Sequence, residues 1–315
     1  MPVVELKQVT QQYQKVTALE NLSLSIHAGE VMGLFGHNGA GKTTTMKLIL
    51  GLISPTLGEV KVMGRSPSTE AFHPMRYQLG FLPENVSFYP QLTGREVLYY
   101  FAKLKRVGKP YCEQLLEKVG LIHAAHRKVK TYSKGMKQRL GLAQAILTTP
   151  KLLLLDEPTV GLDPIATRDF YTTIDELKNE GCAVVLCSHV LPGLEKHIDR
   201  AAVLSQGKLR ALGTLTDLRK EAQLPIRVHI QGTMDRNILS KQTQHLLHGL
   251  QSNNGTSIEG FTSEINKMPL LKQLMSIPGV EDVDVNLPTL EQLYTHLMVD
   301  GLTDDLINKK QAVQS

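Results

Sequence analysis

Apolar and polar positions alternate along VVELKQVTQQY (residues 3–13) and LSLSI (22–26), the period of strands with one buried face. The first of these reads as an edge strand. After the turn at Ala28-Gly29, VMGLF (31–35) is apolar throughout, and the helical spacing of TTMKLILGL (44–52) follows it. Between them lies GHNGAGKTT, residues 36–44, and the rest of the chain is organised around that strand, turn and helix start. A turn at Ser54-Pro55 and the strand pattern EVKVMG (59–64) return to β structure. In the next stretch Pro83 and Pro90 enforce an extended loop, which ends at a helix opened by Thr93 with Glu96 as its capping box. A helical region of about residues 84–150 follows, and within it Ser133 is set to N-cap the helix of TYSKGMKQRLGLAQAIL (131–147).

Four leucines in KLLLLDEPTVGLDP (151–164) predict a strand buried on both faces of a parallel sheet, and CAVVLCSH (182–189) predicts another. Asp163 caps a helix with Pro164 at its first position, and Gly181 ends it. The strand and turn pieces of AAVLSQGKLRALG (201–213) complete an α/β domain over residues 1–222. Residues 223–315 read as a small α+β appendage. There PIRVHIQG (225–232) predicts a strand, SKQTQHLLHGLQ (240–251) a short helix, QSNNGTS (251–257) a turn and VEDVDVN (280–286) a strand. A helix precedes the last strand, its core stripe being Leu270, Leu271, Leu274 and Met275, and a final helix starts at Thr289 with Glu291 in its first turn. The polar tail NKKQAVQS (308–315) reads as disordered.

Composition narrows the classes. A formal charge of +5 and a pI near 8.9 are mild, and no stretch collects Lys and Arg into a block with interleaved aromatics, so nucleic acid is not the expected partner. The longest apolar runs fall short of the roughly 20 residues that span a bilayer, and a basic-then-apolar leader is not seen. The expected location is the cytoplasm, with any membrane reached through a partner. Cys112, Cys182 and Cys187 form no C-x-x-C pair and read as reduced thiols.

The G-x-x-x-x-G-K-[ST] spacing of Gly36, Gly41, Lys42 and Thr43 supplies the chemistry. Backbone N–H groups of the turn and of the helix start converge on one anion, with Gly36, Gly39 and Gly41 removing side chains from its path. Lys42 then reaches the β- and γ-phosphates of a nucleoside triphosphate, and the Thr43 hydroxyl ligates Mg²⁺. Asp156, at the C-terminal end of a buried strand, is positioned to hold Mg²⁺ directly or through water, and Glu157 to take a proton from an attacking water. His189 ends the neighbouring strand, where its imidazole can meet the γ-phosphate. The Tyr13 ring lies between the first two strands, where it can stack on adenine. Cys187 and His189 are the one tight pair of soft ligands, and with His189 assigned to phosphate no copper site is expected in this chain.

In order and spacing these segments resemble the ATP-binding subunits of ABC transporters over about the first 220 residues. The resemblance implies a P-loop NTPase fold of the ABC type, with a RecA-like core, an antiparallel β subdomain and a helical subdomain. It also implies ATP with Mg²⁺ as the bound pair. Residue by residue, Tyr13 matches the adenine platform. The Walker A is matched by Gly36, His37, Asn38, Gly39, Ala40, Gly41, Lys42, Thr43 and Thr44. Asp156 and Glu157 match the Walker B carboxylate and catalytic base, Asp163 the D-loop, and His189 the switch histidine. YSKGM stands where the family signature reads LSGGQ, keeping Ser133 and Gly135 but carrying Tyr132, Lys134 and Met136. Glu84 occupies the position of a glutamine that senses Mg²⁺. The implied unit is a homodimer in which each signature tip faces the other copy's ATP.

At closer range LFGHNGAGKTT, LPENVSFYPQLTGRE, TYSKGMKQRLGLAQA, DEPTVGLDPIATRD and LCSHVLPGLE resemble the NosF group. Its members are ATPases of the transporter that helps mature the copper sites of bacterial nitrous oxide reductase. That likeness implies a NosY-type membrane permease bound to the helical lobe and a NosD-type periplasmic protein beyond it. The site of action would then be the cytoplasmic face of the bacterial inner membrane. A drug-export ATPase is the main alternative, because it shares the single unit, the substituted signature and an appended C-terminal piece. Chromosome and DNA-repair relatives need a long coiled coil between the Walker motifs, and the stretch here is too short and lacks heptads.

Overall fold

A computed structural model describes residues 1–189, 191–233, 235–253 and 257–298 of the 315-residue chain. The chain falls into two compact units, Met1–Leu212 and Gly213–Ser315.

In the first unit the alternating segments form β1 (Val4–Tyr13) and β2 (Val16–Ile26), an antiparallel pair with Val4 opposite Ile26. The apolar run is β3 (Val31–Phe35), and α1 (Lys42–Ile49) follows the glycine turn. β4 (Leu57–Val62) returns to pair with the free side of β1. β1 is therefore the middle strand of a β2-β1-β4 sheet, not the edge strand expected from its alternation. Alternation reports only that one face is buried, here through Val4, Leu6 and Val9, and an interior antiparallel strand meets that condition as readily as an edge.

β5 (Leu79–Leu82) leads into a helical lobe of α2 (Gly94–Lys105), α3 (Lys109–Lys118) and α4 (Lys134–Ala145). Thr93 and Glu96 cap α2 reciprocally, as their spacing predicts. The chain then runs through β6 (Leu152–Asp156), α5 (Pro164–Asn179), β7 (Ala183–Cys187), β8 (Arg200–Ser205) and β9 (Lys208–Gly213). These strands build a six-stranded sheet in the order β5-β6-β7-β3-β8-β9, parallel from β5 through β8. β3 and β7 are buried along their whole length, as continuous apolar strands require. Helix α1 lies between the two sheets: Met46, Leu48 and Ile49 share one core with Leu6 and Val60 on one side and Leu154 and Val185 on the other. At about 1.5–3 kcal/mol per buried aliphatic side chain, this packing fixes the helix whose N-terminus carries the glycine turn.

The second unit contains α6 (Leu215–Ala222), β10 (Ile226–Gly232), α7 (Arg236–Thr243), β11 (His248–Asn253), β12 (Ser257–Thr262), α8 (Glu264–Leu274) and β13 (Val280–Asn286). A last helix covers residues 290–298. From β10 to β13 the order is β-α-β-β-α-β, closed into an antiparallel sheet β11-β12-β10-β13, a split β-α-β arrangement. Helix α6 lies between the division at residue 212 and the boundary at residue 222 expected from the sequence.

Several local expectations need correction. The short helix ends at Thr243, and the His-Gly-Leu-Gln that was expected to finish it opens β11 instead. Asp235 starts that helix early by accepting from the Asn237 and Ile238 N–H groups, and Gly249, at φ 64, sits in the strand where helix was expected. Part of the expected turn QSNNGTS is strand; its residues 254–256 and the tail 308–315 lie outside the described residues. In α8 Leu270 and Leu274 are fully buried, Leu271 is only partly buried, and Met275 is 84% exposed, so the core stripe is narrower than four residues. Among the described residues no helix is long and apolar enough to cross a membrane.

Candidate functional site

The glycine turn emerges where β3 ends, in the centre of the parallel sheet. At Gly41 the backbone adopts φ 109, and a Cβ there would come within 2.5 Å of Leu19 Cδ2 and 2.9 Å of the Ala18 carbonyl oxygen. Only glycine fits both conditions. Gly41 is also the N-cap of α1, and no side chain caps that helix. The start of α1 therefore keeps the donors and the positive dipole end that suit a phosphate. Lys42 is nearly buried and its ammonium donates to the carbonyl oxygens of Gly36 and, at 3.2 Å, His37. His37, Asn38, Gly39 and Thr43 are exposed, Thr44 is partly exposed, and Ala40 is buried beneath them. The His37 Nδ1 lies 2.7 Å from the Asn38 carbonyl oxygen.

Two strands away, the acidic pair reaches the same edge. Asp156 is level with Cys187 of β7, which is level with Leu34 of β3, so the β6 carboxylate stands roughly 10 Å across the sheet from the start of the loop. Burial pushes the Asp156 carboxyl above its ordinary range, the negative charges of Glu157 and Glu84 push the same way, and Lys42 opposes them. That balance groups Glu84, exposed in the loop after β5, with the other charges of the site. Glu157 takes a left-handed backbone, φ 48, and its N–H donates to the Cys187 carbonyl at 2.9 Å. Its side chain is 10% exposed and meets the His189 ring, Nδ1 to Oε2 at 2.8 Å, while the His189 backbone N–H donates to the same oxygen at 3.2 Å. A non-glycine residue held in this conformation costs about 1–3 kcal/mol and persists where its surroundings dictate it.

Lys42, Glu84, Asp156, Glu157 and His189 thus gather at one edge of the parallel sheet. Tyr13 lies on the antiparallel sheet, 42% exposed, at the end of β1 opposite Val16. Ser133 accepts from the Met136 N–H at 3.2 Å as the cap of α4, and Asp163 accepts from the Ala166 N–H at 2.8 Å as the cap of α5. Gly135 passes so close to the D-loop that a Cβ there would lie 3.0 Å from the Gly161 carbonyl oxygen. No hydrogen bond among the described residues joins Ser133 or Gly135 to the glycine turn of the same chain. Cys187, half of the soft-ligand pair, is fully buried in the sheet core.

Sequence reasoning missed Tyr171. Its buried ring stacks on His197 with centroids 4.4 Å apart, and burial followed by the nearby Glu157 charge pushes its hydroxyl above the ordinary phenol range. The His197 Nδ1 is 2.9 Å from the Asp175 carboxylate. The only sequence signal was the i, i+4 spacing of Tyr171 and Asp175 on α5.

The family model described as ABC transporter matches residues 19–160. An ABC transporter ATP-binding protein of Bacillus subtilis strain 168, YhcH, is 43% identical over 217 residues, covering 68% of this chain and 71% of its own. This chain belongs to the ATP-binding subunits of ABC transporters. The ABC subunit is also 41% identical over 221 residues to the bacitracin transport ATP-binding protein BcrA of Enterococcus faecalis, covering 69% of this chain and 71% of the relative. A solved ATP-binding subunit of an ABC transporter matches at TM-score 0.64 and 32% identity, over 70% of the ABC subunit and 92% of that chain. A bacterial ABC transporter cassette solved as a dimer matches at 0.62 and 25%, over 67% and 98%. The P-loop fold of this family and its ATP-binding role therefore hold for the chain.

Proposed function

We propose that this ABC subunit hydrolyses ATP as a homodimer and drives a membrane permease. The observation that carries the reading is the gathering of Lys42, Asp156, Glu157 and His189 at one sheet edge beside an uncapped helix start. Lys42 and the loop N–H groups hold the triphosphate, with Tyr13 under the adenine ring. Glu157 orients water and takes its proton, and His189, already paired with Glu157, meets the γ-phosphate. Ser133 and Gly135 of one copy complete the site of the other, with Asp163 beside them.

The donor set also fits Mg²⁺. A carboxyl whose pKa is raised by burial and then by two neighbouring carboxylates is relieved by a hard divalent cation. Asp156 and Thr43 would hold it, with Glu84 at its edge, and when bound it offsets the triphosphate's negative charge. Replacing Lys42 by Ala tests the engine: hydrolysis should fall to background, and undiminished turnover would end this reading.

The partner site that the helical lobe offers is an apolar groove lined by Phe88, Tyr89, Pro90, Leu92, Val97 and Phe101. Its cavity of about 440 Å³ suits a short amphipathic segment of a permease. Five long segments resembling the NosF group favour a NosY-type permease with a NosD-type periplasmic protein, serving copper-site maturation of nitrous oxide reductase. The subunit would then work at the cytoplasmic face of the bacterial inner membrane. The name of the bacitracin transport relative favours a second reading, export of a drug. Deleting the gene separates the two: lost nitrous oxide reduction with unchanged bacitracin tolerance supports the first, and the reverse phenotype the second.

A further inference from the structure

Charge is distributed unevenly along the chain. Residues 84–150, the helical lobe, contain twelve Lys and Arg against four Glu, an excess of eight positive charges in a chain whose total is +5. Part of this excess converges on the tip between α2 and α3. Lys103, Leu104 and Lys105 end α2, Arg106 turns the chain with φ 58, and Lys109 opens α3. Lys103, Arg106 and Lys109 are exposed, as are Leu104 at 57% and Tyr100 at 50%. Among the described residues no carboxylate pairs with Lys103, Lys105 or Arg106. The nearest carboxylates in sequence are engaged elsewhere: Glu96 closes the capping box with Thr93, and Glu113 is bound by Arg95 and by the Tyr99 hydroxyl, each at 2.6 Å. Lys109 lies over the Tyr99 ring, 5.2 Å from its centroid. The expectation of no basic block with interleaved aromatics therefore fails at this tip.

We infer that the α2–α3 tip rests on anionic phospholipid headgroups of the membrane that holds the permease. The inference rests on the docking groove proposed above. Tyr100 lines that groove with Tyr89 and Phe101, and Leu104 follows on the same helix face one turn further, about 5–6 Å away. A permease segment in the groove thus brings the tip to the bilayer surface. Three exposed cations, Lys103, Arg106 and Lys109, with an exposed Tyr and Leu among them match a headgroup layer, where aromatic rings and basic side chains are both stabilised. The permease itself is a poor counterion, because cytoplasmic loops of membrane proteins carry an excess of Lys and Arg.

The test is co-sedimentation of the full chain with phosphatidylcholine vesicles, with and without about one-third phosphatidylglycerol. Association with only the anionic vesicles is expected, falling as salt rises. Lys103→Gln with Arg106→Gln should weaken it about 30-fold, since each cation near an anionic leaflet contributes about 1 kcal/mol. The same charge loss at the exposed Lys241 and Lys272, by Lys241→Gln with Lys272→Gln, should leave it unchanged. Vesicle binding that ignores lipid charge overturns the inference, because the tip then meets an acidic protein segment or nothing. Equal weakening by both variant pairs overturns it as well. ATP hydrolysis by the same preparations is read separately: failure there removes the transport reading and leaves the vesicle result standing or falling alone.

Discussion

Replacing Glu157 by Gln isolates one proton acceptor. The two side chains have the same length, so both carry the same left-handed backbone cost at φ 48. Both donors from His189, the ring Nδ1 at 2.8 Å and the backbone N–H at 3.2 Å, reach one oxygen, and an amide oxygen accepts in its place. Folding stability should therefore change by less than about 1 kcal/mol, the net worth of one ordinary hydrogen bond. Turnover should change far more. A positioned general base contributes about 10² to 10⁴ in rate, or roughly 3–5 kcal/mol of barrier, and the amide cannot take a proton. Phosphate release under saturating ATP should fall by that factor, while equilibrium ATP binding stays near the parent value. Gel filtration with ATP should show a persistent dimer, because the nucleotide that joins the copies is no longer cleaved. A variant that remains monomeric in ATP and turns over less than about tenfold slower would refute the role of Glu157 as base.

Two further outcomes follow from the same edge of the sheet. The Asp156 carboxyl is raised by burial and by Glu157 and Glu84, so the folded state holds its proton more tightly than the unfolded chain does. Its contribution to stability consequently declines as pH rises from the ordinary carboxylate value through the raised one. Asp156→Asn should raise the metal-free Tm at neutral pH and abolish Mg²⁺-dependent hydrolysis; thermal melts with and without Mg²⁺ check both, and a lowered metal-free Tm would contradict the assignment. Gly41→Ala forces a Cβ to 2.5 Å from Leu19 at a φ of 109 and should cost about 2 kcal/mol or more together with ATP binding. Gly39→Ala meets open space and should cost only about 1–2 kcal/mol; urea midpoints and nucleotide titrations separate the two.

The site was legible because phosphate chemistry constrains local sequence. A glycine at Gly41, an ammonium at Lys42 and carboxylates at a strand end have few substitutes, and each leaves a mark at fixed spacing. The buried parallel strands were legible for a similar reason: VMGLF, LLLLD and AVVLC are too apolar for any place but a covered sheet. What escaped was decided by tertiary partners. β1 shows the same alternation in the middle of a sheet as at an edge, so its neighbours were invisible. β11 and β12 pair across a polar connection whose residues carry no periodicity; the first half of β11 reads as the end of a helix, the connection as a turn, and β12 gives no reading of its own. Tyr171 left only a weak helical-spacing signal because its ring partner, His197, reaches it from a separate loop. The basic tip escaped because its cations are interrupted in the chain by Leu104, Val107 and Gly108 and come together only where α2 turns into α3.

The substituted signature acquires a structural meaning through close approach. With Gly135 in contact range of the Gly161 carbonyl, the methylene stem of Lys134 lies along Gly161, where a Cβ would stand 2.8 Å from its Cδ. The start of α4 and the D-loop therefore form one packed surface within a single copy. Glu157 lies four residues before Gly161, and its N–H is held to the Cys187 carbonyl of β7. Packed contacts of this kind yield little under displacement. The groove proposed for a permease lies on the same helical lobe as α4, so under that proposal a shift of the lobe meets the D-loop first, through the Lys134 stem over Gly161. Where the family signature carries glycine, the Lys134 stem fills the space over Gly161 while the residue stays exposed to solvent.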